Sequence, residues 1–327
     1  MKVLITGVAG FVGSNLADRL LIESQKKNLL RGSDSRIEQV IGIDNLAYGV
    51  REQIPEGVEF HQVDIRSKEI YPLFNGVDTV FHLAAKNCIS DCQNDPVETA
   101  DINVTGTVNV FEAARQAGVR KVIYAESSAM YEGSTLLPTP EWDVKPESFY
   151  AISKLSSMHF GKAYERFFKM QATALRYFCV YGPRQDYRRT IPPVMSGFII
   201  KLLRGQIPLI YGSGKKRRDF IHVNDINDFH LLAMTDDRTT GNVYNLGCGK
   251  NYSVREIYDM VAGLLGVKGE PTYQDNLPGE AEVTLADASD AHALGWAPKI
   301  DIYQGLQTMI HWIQANVIDK KITVAGV

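Results

Sequence analysis

Two residues of the sequence have the side chains and the spacing for acid–base chemistry. Tyr150 and Lys154 lie four positions apart in a stretch predicted to be helical, so both side chains can reach one ligand. An ammonium group near a phenol favours the phenolate and lowers the pKa of the tyrosine toward that of a general base. The chain has 15 tyrosines, so a Tyr-x-x-x-Lys match is expected about once by chance. The hydroxyls of Ser127 and Ser128, which end a predicted strand upstream, support a catalytic role for the pair.

The N-terminal residues predict a strand, a glycine turn and a helix. The apolar run 3–5 is typical of a buried parallel strand, and apolar residues recur at helical spacing from Ser14 onward. Between them, Gly7 permits a tight turn, Gly10 lets the backbone approach a pyrophosphate, and Gly13 lets the helix pack closely on the strand. The N–H groups at the helix N-terminus would bind the phosphates. An ordinary turn is the alternative, but the position of the triplet favours a dinucleotide site.

Two aspartates end the next two predicted strands. Asp44 closes the strand at 39–44, one βαβ unit after the glycine turn, where a carboxylate can accept hydrogen bonds from both ribose hydroxyls of an adenosine. Because it would repel a 2′-phosphate, it predicts NAD rather than NADP, and a turn aspartate is the alternative. Asp64 lies at the tip of the strand at 58–65, near the expected position of the adenine.

The elements that must position these residues alternate between strand and helix. Further strands are predicted at residues 78–85 and 121–125, and helices at residues 101–117 and from residue 149 onward. Small residues end the strand at 78–85, which lets the backbone pass close to a bound cofactor. The alternation predicts an α/β fold with a doubly wound parallel sheet.

The composition is that of an ordinary soluble globular protein. The chain has 327 residues, of which 45% are hydrophobic and 22% charged, and a net charge of −3. It has no basic excess that would indicate nucleic acid, and no apolar run near the roughly 18 residues needed to cross a membrane. Because the chain begins inside the first predicted strand, we expect no signal or transit peptide and a cytoplasmic location. Cys88 and Cys92 could ligate a metal, but no second pair of ligands is near in sequence, so no metal is expected.

Further motifs follow these in order along the chain. They are Leu83-Ala84-Ala85, Asn103-Val104-x-Gly106-Thr107, Ser127-Ser128-Ala129-Met130-Tyr131, Leu175-Arg176-Tyr177-Phe178, Tyr181-Gly182-Pro183-Arg184, Tyr211-Gly212-x-Gly214, Arg218-Asp219-Phe220-Ile221-His222 and Leu294-Gly295-Trp296. With the glycine turn and the Tyr150–Lys154 pair, they resemble an extended short-chain dehydrogenase/reductase. More narrowly, they resemble the NAD-dependent nucleotide-sugar epimerase/dehydratase family and its UDP-sugar 4-epimerases. The resemblance covers essentially the whole chain.

The resemblance implies a role for each matching residue. Tyr150 would remove a proton from a sugar hydroxyl, commonly at C4, while bound NAD takes the hydride. Lys154 would hold the nicotinamide ribose, and Ser127, or its neighbour Ser128, would hydrogen-bond the reacting oxygen. Cofactor contacts are implied for Gly7, Gly10, Phe11, Val12, Asp44, Asn45, Asp64, Ile65, Leu83, Ala84, Ala85, Lys86, Asn103, Tyr150, Lys154 and Tyr177. Contacts with a nucleotide-sugar substrate are implied for Cys179, Arg184, Val194, Leu209, Tyr211, Arg218, Leu277 and Glu280.

The resemblance also implies how the chain is organised. It predicts a Rossmann-like NAD-binding domain of residues 1–178 and 219–250, and a smaller α/β domain of residues 179–218 and 251–327 that binds the sugar nucleotide. The helices predicted at 254–265 and 303–315 belong to that smaller domain, which would cover the cofactor. In the family, two helices, here 101–117 and 150–168, pair with those of a second subunit, so a homodimer with a four-helix interface is expected.

The residues after Ser127 favour epimerisation within this family. In dehydratases and decarboxylases these positions usually include an acid for the second proton, but here they are Ser128 and Ala129. Elimination needs a positioned acid and a positioned base. Glu126 and Glu132 flank the motif, so a 4,6-dehydratase remains an alternative, as does a 4-dehydrogenase. A third hypothesis is a non-catalytic NAD(H)-binding protein.

The chain departs from the family pattern at two positions near the expected diphosphate. Cys179 stands where the family usually has asparagine, and Leu277 where it usually has a second arginine. Losing an amide and a guanidinium should weaken or rearrange diphosphate binding, and Arg184, Lys216 or Arg217 could compensate. The small Thr284 stands where bulk restricts the family's 4-epimerases to hexoses, so an N-acetylhexosamine is allowed.

Overall fold

The computed structural model describes residues 1–26, 36–189, 191–276 and 281–319, and strands alternate with helices through most of them. The strands, in chain order, are β1 (Lys2–Thr6), β2 (Gln39–Asp44), β3 (Glu59–Gln62), β4 (Thr79–His82), β5 (Lys121–Ser127), β6 (Gln171–Tyr177), β7 (Cys179–Tyr181), β8 (Leu209–Tyr211), β9 (Arg217–His222), β10 (Val243–Leu246), β11 (Asn251–Ser253) and β12 (Thr272–Gln274). The α-helices are α1 (Phe11–Gln25), α2 (Ile89–Asn94), α3 (Pro96–Ala100), α4 (Thr107–Gln116), α5 (Phe149–Phe168), α6 (Val194–Leu203), α7 (Val223–Thr235), α8 (Val254–Leu265), α9 (Ser289–Ala293) and α10 (Ile302–Ile313).

Seven strands form one parallel sheet in the order β10-β6-β5-β4-β1-β2-β3, which confirms the predicted doubly wound α/β fold. β1 is covered on both faces, because Val3 and Ile5 pack into one hydrophobic cluster and Leu4 into another. This two-sided burial explains why the strand is an uninterrupted apolar run. Thr6 pairs with both Ile43 and His82, so the strands reach their carboxyl ends along one edge of the sheet.

Several element boundaries differ from the predicted ones. β4 ends at His82 rather than at residue 85, because the Ala84 N–H donates to the hydroxyl of Thr6 (3.2 Å) instead of to a neighbouring strand. The predicted helix at 101–117 is a π-helical turn, Asp101–Gly106, followed by α4. α1 begins at Phe11, three residues before the predicted start at Ser14. The helix is also predicted to continue over residues 27–30, which lie outside the described residues.

The C-terminal half of the chain has its own small sheets and its own core. β7, β9 and β11 form a three-stranded sheet, and β8 pairs with β12. A hydrophobic cluster distinct from those around the large sheet contains Phe198 of α6, Tyr258 of α8 and Leu306 of α10. α8 and α10 lie where amphipathic helices are predicted, whereas the boundaries of the two domains stay a prediction. Within the described residues, we find no helix with the length and apolarity to cross a membrane.

The turn between β1 and α1 depends on close backbone contacts. Gly7 has a φ of +76°, and a Cβ there would lie 2.8 Å from the backbone nitrogen of Ala84. A Cβ on Gly13 would lie only 2.1 Å from the carbonyl oxygen of Gly7. Side chains essentially never approach backbone atoms this closely, so only glycine lets α1 pack onto the end of β1.

We expect Gly13→Ala to force α1 away from β1 and to lower the free energy of unfolding by about 1–3 kcal/mol. NAD affinity should fall with it, because the turn and the first residues of α1 move together. Denaturation in urea and titration with NAD measure the two effects. Gly263→Ala in α8, where a Cβ would meet nothing within 4 Å, is the matched control and should be neutral or stabilising. Equal stability of the two variants would contradict this explanation of Gly13.

Candidate active site

A cavity of about 500 Å³ lies beside the glycine turn and the carboxyl ends of β2, β4 and β5. The predicted site residues that border it are Gly7, Gly10, Phe11, Val12, Asp44, Asn45, Asp64, Ile65, Leu83, Ala84, Ala85, Lys86, Ser127, Ser128, Tyr150, Tyr177, Cys179, Arg184 and Arg218. Asn103 and Lys154 are buried and do not border it. Val194, Leu209 and Tyr211 lie elsewhere, on α6 and β8, while Leu277 and Glu280 fall outside the described residues.

The side chains of Ser127 and Tyr150 meet at the wall of this cavity. Ser127 is the last residue of β5 and Tyr150 the second residue of α5, and both border the cavity. The Ser127 oxygen accepts from the Ala129 N–H (3.1 Å), which fixes the serine rotamer. Burial raises the pKa of Tyr150 to about 12, while the nearby Ser127 hydroxyl and the positive charge of Arg189 lower it. The phenol is therefore protonated in the ligand-free protein, contrary to the lowered pKa expected from the lysine.

Lys154 lies behind Tyr150, with its ammonium directed at the end of β5. Its Nζ donates to the carbonyl oxygen of Ala125 (3.0 Å), and only 6% of the residue is exposed. Burial lowers the pKa of Lys154 to about 8, and the nearby carboxylate of Glu126 opposes that shift. The lysine and the tyrosine are thus brought together by α5, as their four-residue spacing predicts, but the ammonium contacts the strand rather than the phenol.

Asp44 joins the glycine turn to the loop after β2. Its carboxylate accepts from the N–H groups of Ala9 (3.0 Å) and Leu46 (2.8 Å), and the residue is buried. Burial raises its pKa, and these two hydrogen bonds oppose the shift. A carboxylate at the end of β2 is suited to accept from ribose hydroxyls, so its placement is compatible with the predicted role.

Asp64 and Asn45 form a polar corner at the expected adenine end. The Asn45 amide donates to Asp64 (2.8 Å), and Arg66 pairs with the same carboxylate (2.8 Å) and with Asp101 (2.7 Å). The hydrogen bond from Arg66 is the main reason that the pKa of Asp64 falls to about 2. The acid is therefore ionised under all ordinary conditions.

Two residues predicted to contact the cofactor are engaged inside the protein. The Asn103 amide bonds both the N–H (2.8 Å) and the carbonyl oxygen (2.9 Å) of Lys86, so it supports the cavity wall from behind. The Tyr177 hydroxyl is hydrogen-bonded to Nε2 of His230 (2.7 Å). Spacing along the sequence could not distinguish these buried contacts from contacts with a ligand.

The acidic residues that flank the serines have structural partners. Glu126 pairs with Arg176 (2.8 Å), which faces it across β5 and β6, and neither side chain has more than 1% of its surface exposed. Arg176 also donates to the Tyr131 hydroxyl (2.8 Å). Glu132 accepts from the Ser148 N–H (2.7 Å) and hydroxyl (2.8 Å) at the N-terminus of α5. Both acids therefore hold elements that carry the site.

At the other end of the cavity, the expected compensating cations have different surroundings. Arg184 donates to the Ser14 carbonyl (3.0 Å) and pairs with Asp18, although it also borders the cavity. Arg217 is turned toward β11 and α8, where it bonds Asn251 and Glu256. Thr284 borders the cavity, but its hydroxyl accepts from the Asp219 N–H (3.1 Å). Its contribution to the cavity is therefore its small size.

Two arginines that the sequence analysis missed reach across the cavity. Arg188 donates to the carbonyl oxygen of Tyr48 (2.6 Å), and Arg189 donates to Asn87 (2.6 Å) while pairing with Asp186 (2.8 Å). They join the segment after β7 to the loops that follow β2 and β4. The only signal for them was a basic pair shortly after the Tyr181–Arg184 motif.

The buried Glu126–Arg176 pair gives a test of what stabilises the strand ends. We expect Arg176→Met to lower the free energy of unfolding by about 3–5 kcal/mol, because it leaves a buried carboxylate without its partner. The double variant Glu126→Gln/Arg176→Met should lose less, since neither charge remains. Urea denaturation of both proteins measures the difference. Equal losses in the single and the double variant would mean that lost packing, rather than the unpaired charge, is the cause.

Comparison with known proteins gives a consistent assignment. Residues 3–247 match the NAD dependent epimerase/dehydratase family. A putative UDP-glucose 4-epimerase of Methanocaldococcus jannaschii is 34% identical, over 96% of this chain and 99% of the relative. The crystal structure of UDP-glucose 4-epimerase from Thermotoga maritima with UDP-glucose has a TM-score of 0.89 and 30% identity, covering 96% of this chain and 99% of that one.

A second solved structure bears on the cofactor. The complex of UDP-glucose 4-epimerase from Thermus thermophilus with NAD has a TM-score of 0.86 and 31% identity, covering 97% of this chain and all of that one. Among the described residues, no three His, Cys, Asp or Glu side chains are arranged to hold a metal ion. The chain belongs to the NAD-dependent epimerase/dehydratase family, enzymes that act on nucleotide sugars with NAD as cofactor.

Proposed function

We propose that this enzyme inverts C4 of a nucleotide-activated sugar through a transient 4-keto intermediate. The observation that carries the proposal is that Ser127 and Tyr150 border the same cavity as the glycine turn, with Ser127 near enough to lower the pKa of Tyr150. In such a reaction, bound NAD would accept a hydride from the sugar and later return it. The same cavity is therefore bordered by the residues for proton transfer and by the turn that would hold NAD.

The chain's own residues divide the proton chemistry. Tyr150 takes the proton of the sugar hydroxyl and returns it, and Ser127 hydrogen-bonds the reacting oxygen while its own rotamer is held by the Ala129 N–H. Lys154 holds the cofactor ribose beside Tyr150, and in the ligand-free protein its Nζ donates to the Ala125 carbonyl behind the cavity wall. The raised pKa of the free tyrosine is no obstacle, because a cationic nicotinamide ring bound nearby would favour the phenolate.

The contacts of Glu126 and Glu132 with the protein favour epimerisation over dehydration. Elimination requires an acid placed for the second proton, and Ser128 and Ala129 carry no carboxylate. Glu126 is buried against Arg176, and Glu132 is bonded at the start of α5. Both acids border the cavity, but the charge of Glu126 is paired with Arg176 and both oxygens of Glu132 accept hydrogen bonds near the start of α5, so both serve as structural carboxylates. We further propose a UDP-sugar as the substrate, in agreement with the similar 4-epimerases, and an enzyme that works in the cytoplasm.

We expect the purified protein, given UDP-, GDP-, dTDP- and CDP-sugars without added cofactor, to form an isomer of unchanged mass from a UDP-sugar. Mass spectrometry and NMR identify the product. Tyr150→Phe should abolish it, because the phenyl ring cannot take the proton, while retaining NAD and the fold. Tyr187→Phe is a control, since that tyrosine also borders the cavity but lies in the segment after β7 rather than on α5. A product lighter by one water would replace the proposal with dehydration, and retained NAD without turnover would favour a binding protein.

We also propose a homodimer that pairs α5 and the helical segment 101–116 with their counterparts. α5 exposes one apolar stripe that includes Ile152, Phe160 and Phe167, the last with 70% of its surface exposed. These residues recur at intervals of seven and eight, so they lie on one helix face. An apolar stripe of this kind is more often covered by a partner than left in water.

Phe160→Glu should convert the dimer to a monomer, because it places a charge in the middle of the stripe. Light scattering measures the mass in solution. Ile22→Glu on α1 is the control, since Ile22 is also exposed but lies on α1, which packs into the same hydrophobic cluster as Val3 and Ile5. A wild-type protein with the mass of one chain, or a Phe160→Glu protein that keeps the mass of two, would contradict this interface.

A further inference from the structure

A chain of buried hydrogen bonds begins at Thr6, the last residue of β1. Its hydroxyl oxygen lies 3.2 Å from the backbone nitrogens of both Leu83 and Ala84, which can only donate to it. The same oxygen lies 2.8 Å from Nδ1 of His82. A hydroxyl has two acceptor sites and one proton. The Leu83 N–H is shared with the carbonyl oxygen of Thr6 (3.2 Å), and with Ala84 it occupies the acceptor side of the hydroxyl, so the proton of Thr6 is donated to Nδ1 of His82.

The other side of His82 leads to the same protonation state. Nε2 of His82 lies 2.9 Å from the Thr107 hydroxyl, which lies 2.6 Å from the carbonyl oxygen of Asn103. A carbonyl only accepts, so the proton of Thr107 goes to Asn103, and Nε2 of His82 must be the donor. Burial, with the charge of Lys154, lowers the pKa of His82 to about 3. The ring is therefore the neutral Nε2–H tautomer.

The chain continues from Asn103 to both functional edges of the site. The Asn103 amide nitrogen donates to the carbonyl oxygen of Lys86 (2.9 Å) and to the hydroxyl of Ser153 (3.0 Å). Ser153 donates to the carbonyl oxygen of Tyr150 (2.7 Å), and Ser157 donates to the backbone oxygen of Asn103 (3.1 Å). Asn103 thus supports the cofactor side through the loop after β4 and the catalytic side through α5.

We propose that His82 is a positioning residue that sets the spacing between the cofactor-binding loop 83–86 and the helix that carries Tyr150. The geometry supports this because His82 bonds on one side to Thr6, which holds the start of that loop, and on the other to Thr107, which holds the backbone of Asn103. Thr6, His82, Thr107 and Asn103 are each at most 5% exposed, so water cannot replace a missing partner.

The π-helical turn Asp101–Gly106 contains Asn103, and side chains outside the turn hold this residue in place. In the turn Asp101–Gly106, the carbonyl oxygen of Asn103 accepts from the side chains of Thr107 and Ser157. The position of the Asn103 side chain therefore depends on the bonds from Thr107, which also contacts His82, and from Ser157 of α5. In a buried network of this kind a polar group that loses its partner is costly, so the members hold one another in place.

Thr107→Val tests the proposal, since it removes the acceptor for His82 and the donor for Asn103 at nearly constant volume. We expect NAD to dissociate roughly tenfold faster or more, and kcat to fall by a similar factor with a smaller change in KM. Thr107→Ser, which keeps the hydroxyl, should restore both rates. Thr79→Val is the matched control: Thr79 is also fully buried on the sheet, but its hydroxyl has no hydrogen-bond partner, so both rates should stay at the wild-type value.

The two measurements distinguish this inference from the proposed function. The effect on kcat rests on the proposed function, whereas the NAD dissociation rate does not. If wild-type protein turned over no sugar, the function would fail, while the NAD dissociation rates would still decide the role of His82. A Thr107→Val protein with a lower melting temperature but wild-type NAD dissociation and kcat would overturn the proposal. If Thr107→Val does not fold, Ser153→Ala removes the link from Asn103 to Tyr150 in a helix that tolerates alanine. Wild-type kcat in that variant would equally overturn it.

Discussion

The close approach between the glycine turn and the loop after β4 is the constraint on which the rest of the site depends. Gly7 presses so near to Ala84 that no side chain fits between them, and Gly13 lets α1 start against Gly7 itself. These contacts leave the N-terminus of α1 and the ends of β2 and β4 around one cavity. The position of Asp44, which is hydrogen-bonded to Ala9 within the turn, follows from the same packing.

Burial governs the electrostatics of the active site more than any single charge pair does. It raises the pKa of Tyr150 and lowers those of Lys154 and His82, so each group is pushed toward its neutral form. Glu126 stays paired because Arg176 faces it directly across two strands. The groups around Tyr150 are thus held near their neutral forms, and a bound cationic ring beside them would have a large effect.

The polar side chains around the cavity fall into two sets with different tasks. Ser127, Tyr150 and the arginines after β7 face the cavity, where a substrate can reach them. Asn103 and His82 lie behind the wall and bond only to the protein. The buried residues fix the backbone that carries the cavity-facing residues. This explains why side chains that could bind a ligand instead make contacts within the protein.

The sequence by itself determined the first five strands, the glycine turn, and the placement of Tyr150 and Lys154 on one helix, because these depend on local spacing and on apolar periodicity. It could not show that Asn103 and the Tyr177 hydroxyl bond inward, that Glu126 meets Arg176, or that Arg188 and Arg189 cross the cavity. Those contacts join residues far apart in the chain, and the same side chains at the same spacing could equally have faced a ligand. Only the packing of the sheet and helices decided which of them face the cavity and which are buried behind it.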